Sequence, residues 1–268
     1  LISILTTTLN CASTIQETLA SVRVLADFVP VQHLLLDAGS TDGTWDFIQA
    51  HAKNEGVRAY CVPGLNIPNA LNKLIAEACG THIIILNGDD FLEPDVVADF
   101  FAIAGSSKED VILCGDVKVL STDGTVLGMR SCRIEKIDKY MSLNHPAMLI
   151  PKIVYHRVGK FNGECLVSFD YEWVWRAYQS GIHFRYIPKT VATVRMGGLS
   201  SKRAVKAAYE IMRFKASAGY IPQAVREYLW FQIKRAVRYS VPKPLLSKLI
   251  KSVRKRTGSV DQYSEFIF

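Results

Sequence analysis

Residues 82–90, His82-Ile83-Ile84-Ile85-Leu86-Asn87-Gly88-Asp89-Asp90, constrain this chain more than any other stretch. A run of apolar residues, mostly β-branched isoleucine, ends abruptly in an amide, a glycine and two carboxylates. Such a run, bounded by Gly80 and Gly88, reads as a strand buried on both faces, the kind found in parallel sheets. Open α/β sheets bind ligands beyond the carboxyl ends of their strands, which is where Asp89 and Asp90 fall. Neighbouring carboxylates repel unless a cation neutralises them. Oxygen donors suit Mg²⁺ or Mn²⁺, completed by substrate phosphates. A solvated turn would use the same residues, since Asn, Gly and Asp all favour turns.

The flanking segments repeat one pattern. Ile2–Leu5 reads as a first strand, followed by the polar loop Thr6-Thr7-Thr8-Leu9-Asn10. Ser13 and Gln16 make a capping box, with Ile15, Leu19 and Val22 on one helix face. Val31–Leu36 is a second strand ending at Asp37, and Ala38–Thr44 turns tightly into a helix over Trp45–Ala52. Val57–Val62 is a weaker strand. Pro68 opens a helix that stops at Gly80, and Pro94 opens another with Val97, Phe100 and Phe101 turned inward. This alternation predicts an α/β fold: a mixed, mainly parallel sheet with helices on both faces. No G-x-G-x-x-G follows the first strand, so a nucleotide would lie across the sheet edge without a glycine cradle.

Beyond residue 110 the pattern changes. Val111–Leu120 and Val126–Met129 flank Thr122-Asp123-Gly124, a hairpin signal. Ala147–Ile150 is another apolar run, and Phe169–Tyr178 reads as a helix. Phe184–Ile187 and Val191–Val194 read as two short strands, and 197–201 as a flexible loop. Helices are expected over roughly 202–218, 223–239 and 243–256.

Hydrophobic residues make up 49% of the 268, which suits a folded chain. No apolar run approaches the ~18 residues needed to span a bilayer. Leu1–Leu9 lacks a basic lead and is too short for a signal peptide. The six cysteines are scattered without a C-x-x-C, which argues for reduced thiols in the cytosol and against a zinc site or disulfide framework. Charge is divided unevenly. Residues 1–200 hold 17 Lys and Arg against 21 Asp and Glu, whereas 201–256 hold 15 against two. A basic tail on an acidic body points to an anionic surface.

In order and spacing, seven segments resemble the family-2 glycosyltransferases, which have the GT-A fold. They are Thr6–Asn10, Asp37-Ala38-Gly39-Ser40-Thr41-Asp42-Gly43-Thr44, Asn69-Ala70-Leu71-Asn72-Lys73, Asn87-Gly88-Asp89-Asp90, His145-Pro146, Phe169-Asp170-Tyr171-Glu172 and Gly197-Gly198-Leu199-Ser200. The resemblance covers about 1–203 and is strongest to the bacterial branch that builds surface polysaccharides and lipopolysaccharide. It implies an inverting transfer of a hexosyl or N-acetylhexosaminyl group from a nucleotide-diphospho-sugar, UDP by family frequency, to a glycan or lipid-linked acceptor. Asp37 would contact the base, with Thr6 and Thr8 lining the same pocket and Asn72 and Lys73 pointing towards the nucleotide. Asp89 matches the last acid of the family's D-x-D motif and would ligate Mn²⁺ or Mg²⁺, while Asn87 replaces the first acid and can accept from a ribose hydroxyl. Gly88 belongs to the same motif. Asp170 matches the catalytic base, with Glu172 a weaker candidate. His145 falls near the acceptor. Arg195, Lys202 and Arg203 flank Gly198 in a loop suited to close on the diphosphate.

Residues 1–203 are thus expected to form the catalytic domain and 204–268 a basic helical extension. Leu245, Leu246, Leu249, Ile250 and Val253 recur at helical spacing among Lys248, Lys251, Arg254, Lys255 and Arg256. Basic amphipathic helices suit an anionic membrane face, here the inner face of the plasma membrane for a cytoplasmic, peripheral protein. Packing of these helices on the catalytic domain is the plainer alternative. No nucleic-acid motif is present. Rival readings are a sugar-nucleotide pyrophosphorylase, which needs a glycine-rich basic loop after strand one, and a noncatalytic nucleotide-sugar or polyanion binder, which Asn87 favours.

Overall fold

Strands with apolar residues at successive positions need cover on both faces, and this chain supplies it. The computed structural model describes residues 1–106, 110–198 and 203–240. Strand β1 (Ile2–Thr8) lies between β2 (Val31–Asp37) and β4 (His82–Asn87), and β3 (Val57–Cys61) flanks β2, all parallel. Ile83 and Ile85 face one layer with Leu5, Leu34 and Leu36, under helices α3 (Ile67–Glu77) and α6 (Phe169–Gln179). Ile84 and Leu86 face the other with Ile2 and Ile4, against α1 (Ile15–Leu25) and α4 (Pro94–Gly105). Helix α2 (Thr44–His51) closes a smaller core around Ile15, Leu35 and Ile48.

Among the described residues the sheet has nine strands, in the order β3-β2-β1-β4-β8-β6-β9-β5 with β7 paired to β6. The second half comprises β5 (Phe91–Leu92), β6 (Ile112–Leu120), β7 (Val126–Arg130), β8 (Met148–Pro151) and β9 (Phe184–Arg195). Strand β8 runs antiparallel to β4 and to β6, and β9 runs parallel to β6. The expected α/β class, a mixed and mainly parallel sheet with helices on both faces, is therefore present.

Several local expectations are corrected. Strand β1 continues through Thr8, because Thr6 and Thr8 are buried and paired with β2, so they are not loop. The Ser13–Gln16 capping box does not form. Helix α1 begins after Thr14, whose hydroxyl instead donates to Cys11 O and Gly88 O, both at 3.2 Å. The two short strands at 184–194 are one strand. Pro188 has no N–H to give, and the β6–β9 ladder passes it by shifting register between Cys114 and Val117.

After the short helix α5 (Lys152–Val158) and α6, helices α7 (Ala204–Ser217) and α8 (Ile221–Ser240) follow. Helix α7 packs into the body: Phe214 lies 5.6 Å, ring to ring, from both Tyr171 and Trp175. Lys215, only 1% exposed, donates to Asp138 O at 2.9 Å and pairs with Glu227 of α8 at 2.8 Å. The expected boundary at 203/204 is thus crossed by buried polar contacts. The helix expected over 243–256 lies outside the described residues.

Candidate active site

The carboxyl ends of β1, β2 and β4 meet at one rim. Asp37 ends β2 fully buried. Its Oδ2 accepts the hydroxyls of Thr8 at 2.8 Å and Ser40 at 2.6 Å, and its Oδ1 accepts the N–H groups of Gly39 at 2.9 Å and Ser40 at 2.7 Å. Gly39 takes φ +96, which the turn requires and a side chain would oppose. The resemblance gives Asp37 a contact to the base. Here both oxygens are bonded within the turn, so a ligand would have to exchange for one of those bonds. Thr6 is turned away from the rim: its hydroxyl is 3.0 Å from His33 Nε2, inside the sheet, so it does not line a pocket.

At the end of β4, Asn87 is exposed and donates its amide to Asp90 Oδ2 at 3.0 Å. Gly88 leaves no room for a side chain, since a Cβ would come within 2.8 Å of Cys11 Sγ and Thr8 Cγ2. Asp90 is buried, and its other oxygen accepts Arg195 N–H at 3.0 Å. The Arg195 guanidinium bonds Asp89 O and Glu17 Oε1, each at 2.9 Å, and lies over Phe91. It therefore braces the acidic turn, where a loose diphosphate contact was expected. Burial pushes both carboxyls up, Asp90 to about 7 with help from Asp89, while Arg195 opposes the rise at Asp89. Asp89 is the half-buried acid of the pair. Cys11, which sequence reading passed over, sits among Asp89, Asp42 and Asp37. Burial, against the Thr44 hydroxyl and with these acids adding, pushes its thiol up to about 12.

A second group forms beside the first. The antiparallel register of β8 on β4 carries the 3-10 turn His145–Ala147 to the carboxyl end of β4, against which it packs. Burial holds the His145 imidazole down at about 4, hence neutral, and its Nε2 has no hydrogen-bond partner among the described residues. Its ring is 6.3 Å from Phe169, the residue before Asp170. Asp170 lies in the first turn of α6, where its Oδ1 accepts Tyr171 N–H at 2.8 Å. Burial, followed by the nearby Glu210, raises its carboxyl to about 6. Glu172 is different. It is buried and held by Arg176 at 2.7 and 3.0 Å, so it is not free to act as a base.

The remaining candidates are placed as follows. Asn72 spends its amide on Phe161, accepting its N–H at 2.8 Å and donating to its carbonyl at 2.9 Å. It ties α3 to the loop before α6, and a nucleotide contact would have to exchange for one of these bonds. Lys73 is exposed, 3.2 Å from Glu77 and 4.9 Å over Tyr60. Gly198 and Arg203 are exposed on either side of the segment 199–202. Lys202 lies outside the described residues. Glu210, another residue missed in the sequence, reaches the loop before α6 from a helix some 40 positions later, and nothing local signals that contact.

A mainly parallel sheet with an acidic turn after its fourth strand is the architecture of the GT-A glycosyltransferases. S. aureus TarS superposes over 99% of this chain and 50% of its own, with a TM-score of 0.67 at 14% identity. The chain belongs to glycosyl transferase family 2, whose sequence model matches residues 3–163. A PGL/p-HBAD biosynthesis glycosyltransferase of Mycobacterium tuberculosis is 28% identical over 206 residues, 74% of this chain and 78% of that protein. The chondroitin synthase of Pasteurella multocida is 26% identical over 70% of this chain and 20% of its own length. The mannosyltransferase PcManGT from Pyrobaculum calidifontis, solved with GDP-Man and Mn²⁺, shares the fold over 94% of this chain and 79% of its own, with a TM-score of 0.60 at 14% identity.

Proposed function

We propose that the protein transfers a hexosyl or N-acetylhexosaminyl group, with inversion, from a nucleotide-diphospho-sugar to a hydroxyl of a glycan or lipid-linked acceptor. Asp170 carries the reading. It is the acid of α6's first turn that no side chain among the described residues claims, whereas Glu172 beside it is spent on Arg176. A hydroxyl is a weak nucleophile near neutral pH. A carboxylate within hydrogen-bond reach takes its proton as the bond to the anomeric carbon forms and the bond to the diphosphate breaks. One base on the face opposite the leaving group inverts the centre, and no sugar–enzyme bond is needed. His145, neutral and beside Phe169, has a buried Nε2 without a partner among the described residues and is our choice of group to orient the acceptor.

The residues fit a divalent cation that arrives with its donor. Among the described residues no three His, Cys, Asp or Glu could hold a metal alone. Asp90 is already bonded on both oxygens, which leaves Asp89 as the open carboxylate. One carboxylate plus substrate phosphates suffices for Mg²⁺ or Mn²⁺. Such an ion supplies charge neutralisation for the departing diphosphate. UDP is our choice of nucleotide, supported by TarS having been solved with UDP-GlcNAc. Assembly of a bacterial surface polysaccharide or lipopolysaccharide is our choice of process.

We also assign the protein to the inner face of the plasma membrane. Exposed Ile221, Val225, Leu229 and Ile233 recur at every fourth position of α8, with Trp230 beside them and Lys234 5.3 Å over its ring. No described helix is long and apolar enough to cross a bilayer.

Thermal shift and slow hydrolysis measured with UDP-glucose, UDP-N-acetylglucosamine and GDP-mannose, with and without Mn²⁺, test the reading. A Mn²⁺-dependent shift with release of nucleoside diphosphate is expected for at least one donor. Binding without turnover would leave a nucleotide-sugar binder, and no response to any donor would sink the proposal.

A further inference from the structure

Glutamate is seldom buried unless its charge is matched. Glu210, in the middle of α7, is 7% exposed. Its nearest cation, Lys206 Nζ, is 4.0 Å away on a half-exposed side chain. Backbone donors satisfy it instead. Oε1 accepts Leu166 N–H at 3.1 Å, and Oε2 accepts Val167 N–H and Ser168 N–H, both at 2.9 Å. Cys165 Sγ lies 3.4 Å from the same oxygen. One turn earlier on α7, Ala207 O accepts the Ser168 hydroxyl at 3.2 Å.

These consecutive N–H groups lead directly into α6. The first donors of a helix have no partner within it, and Ser168 at the N-cap supplies no side-chain cap. From a different helix, Glu210 accepts the N–H of that N-cap residue together with the two N–H groups before it. Asp170 stands two residues beyond Ser168, so its place depends on a segment whose amides converge on one carboxylate.

We propose that Glu210 is a positioning residue for the Asp170 base: it fixes residues 166–168 through their backbone N–H groups and sets a buried carboxylate near that of Asp170. The proposal rests on the reading of Asp170 as base. Among the described residues, the titratable groups on the elements around Asp170 include Glu210, Lys206 and Lys215 on α7, Cys165 in the loop, the Glu172–Arg176 pair on α6 and His145 on the turn before β8. Glu172 and Arg176 satisfy each other, Lys215 is paired with Glu227, and His145 is neutral. Glu210 is thus the carboxylate that acts on Asp170. Like charge favours the protonated acid, so Glu210 adds to the rise that burial imposes on Asp170.

A purely structural cap and a positioning residue differ in one readout. In the full-length protein with Mn²⁺, the pH dependence of kcat/KM is measured for hydrolysis of UDP-N-acetylglucosamine, UDP-glucose and GDP-mannose. Glu210→Gln removes the charge and faces an amide NH₂ towards backbone donors. Its kcat should fall about 10–100-fold with donor KM within about twofold, because misplacing a reacting group by about 1 Å costs on that order. Its acid limb should move down by roughly half a pH unit to one unit, since Asp170 ionises more easily without its neighbour. Glu210→Asp keeps the charge but shortens the reach, so its rate should fall with the limb in place. Lys206→Met preserves every bond to the segment and should move the limb up by roughly several tenths of a unit at low ionic strength. If Glu210→Gln does not fold, Lys206→Met decides. An acid limb at the wild-type pH in every folded charge-changing variant would overturn the proposal. Wild-type turnover in Asp170→Asn would overturn the base assignment, and the proposal with it.

Discussion

Asp89 and Asp170 are expected to answer different measurements. Asp89 lies on a turn at the rim, half-buried and outside the main cores, so Asp89→Ala should fold normally. Its affinity for a nucleotide sugar should lose its dependence on Mn²⁺, as calorimetric titration with and without the ion would show; affinity that still rises with Mn²⁺ refutes the assignment. Asp170→Asn should bind the donor within a few-fold of wild type yet transfer about 10²–10⁴-fold more slowly. A base works only when ionised, and burial holds Asp170 up at about 6. Activity should therefore be full above that value and decline as pH falls through it, roughly tenfold per unit further down. A profile flat from pH 7 to 5 would contradict this. The sign for stability is opposite: the folded state binds this proton more tightly than the unfolded chain, so acidification through the same window favours folding. The places of Asp37 and Asp89 at strand ends were legible in the apolar runs before them, whereas Asp170 was singled out by the resemblance. The pairing of Glu172 with Arg176 was legible too, since the two stand four residues apart on the expected helix, but nothing near Asn72 says that the Phe161 backbone will take its amide.

At the scale of elements, apolar periodicity located every helix of the first half to within a few residues, since each packs one face against a sheet. It failed where polar side chains chose distant partners, as when Thr14 bonded Gly88 and left no capping box at Ser13. It also failed where a proline inside a strand imitated a break, as at Pro188. Helix α6 shows what such distant contacts contribute. Arg176 grips Glu172 and also donates to the carbonyls of Val158 and Lys160, while Trp173 Nε1 donates to Gly159 O at 2.9 Å. Arg176→Ala would release that loop and strand the buried Glu172 carboxylate. A loss of about 3 kcal/mol is expected, read as a lower urea midpoint with an unchanged slope. A loss below about 1 kcal/mol would mean the pair behaves as an exposed one.

For the whole molecule, the basic extension divides in two. Ending the chain at 203 removes Glu210 and Lys215 and leaves their partners buried, so that fragment should not fold stably. Ending it at 242 spares both, and this form should keep its melting temperature and donor affinity. It should sediment less with anionic vesicles than the full chain, and the full chain's binding should weaken with salt, because the Debye length is only ~8 Å at physiological ionic strength. Equal binding of the full chain to anionic and neutral vesicles would sink the membrane assignment, whereas equal sedimentation of the two forms on anionic vesicles would assign the contact to the exposed face of α8 alone. Strand β8 carries a consequence of another kind. It joins the sheet's two halves through two residue pairs on each side, His82 and Ile83 with Pro151 and Ile150, then Leu113 and Cys114 with Leu149 and Met148. Asp89 hangs from β4 on one bank of this seam, and the chain leading to Asp170 departs from β8 itself. A slip of one residue along the seam is about 3.3 Å and turns every β8 side chain over. That exceeds the roughly 1 Å within which reacting groups must be held. The span between donor and acceptor chemistry is thus held by a four-residue clasp whose side chains, Met148–Pro151, are all buried, with the Arg195 bonds to Asp89 and Asp90 and the Asn72 bonds to Phe161 as further ties against sliding.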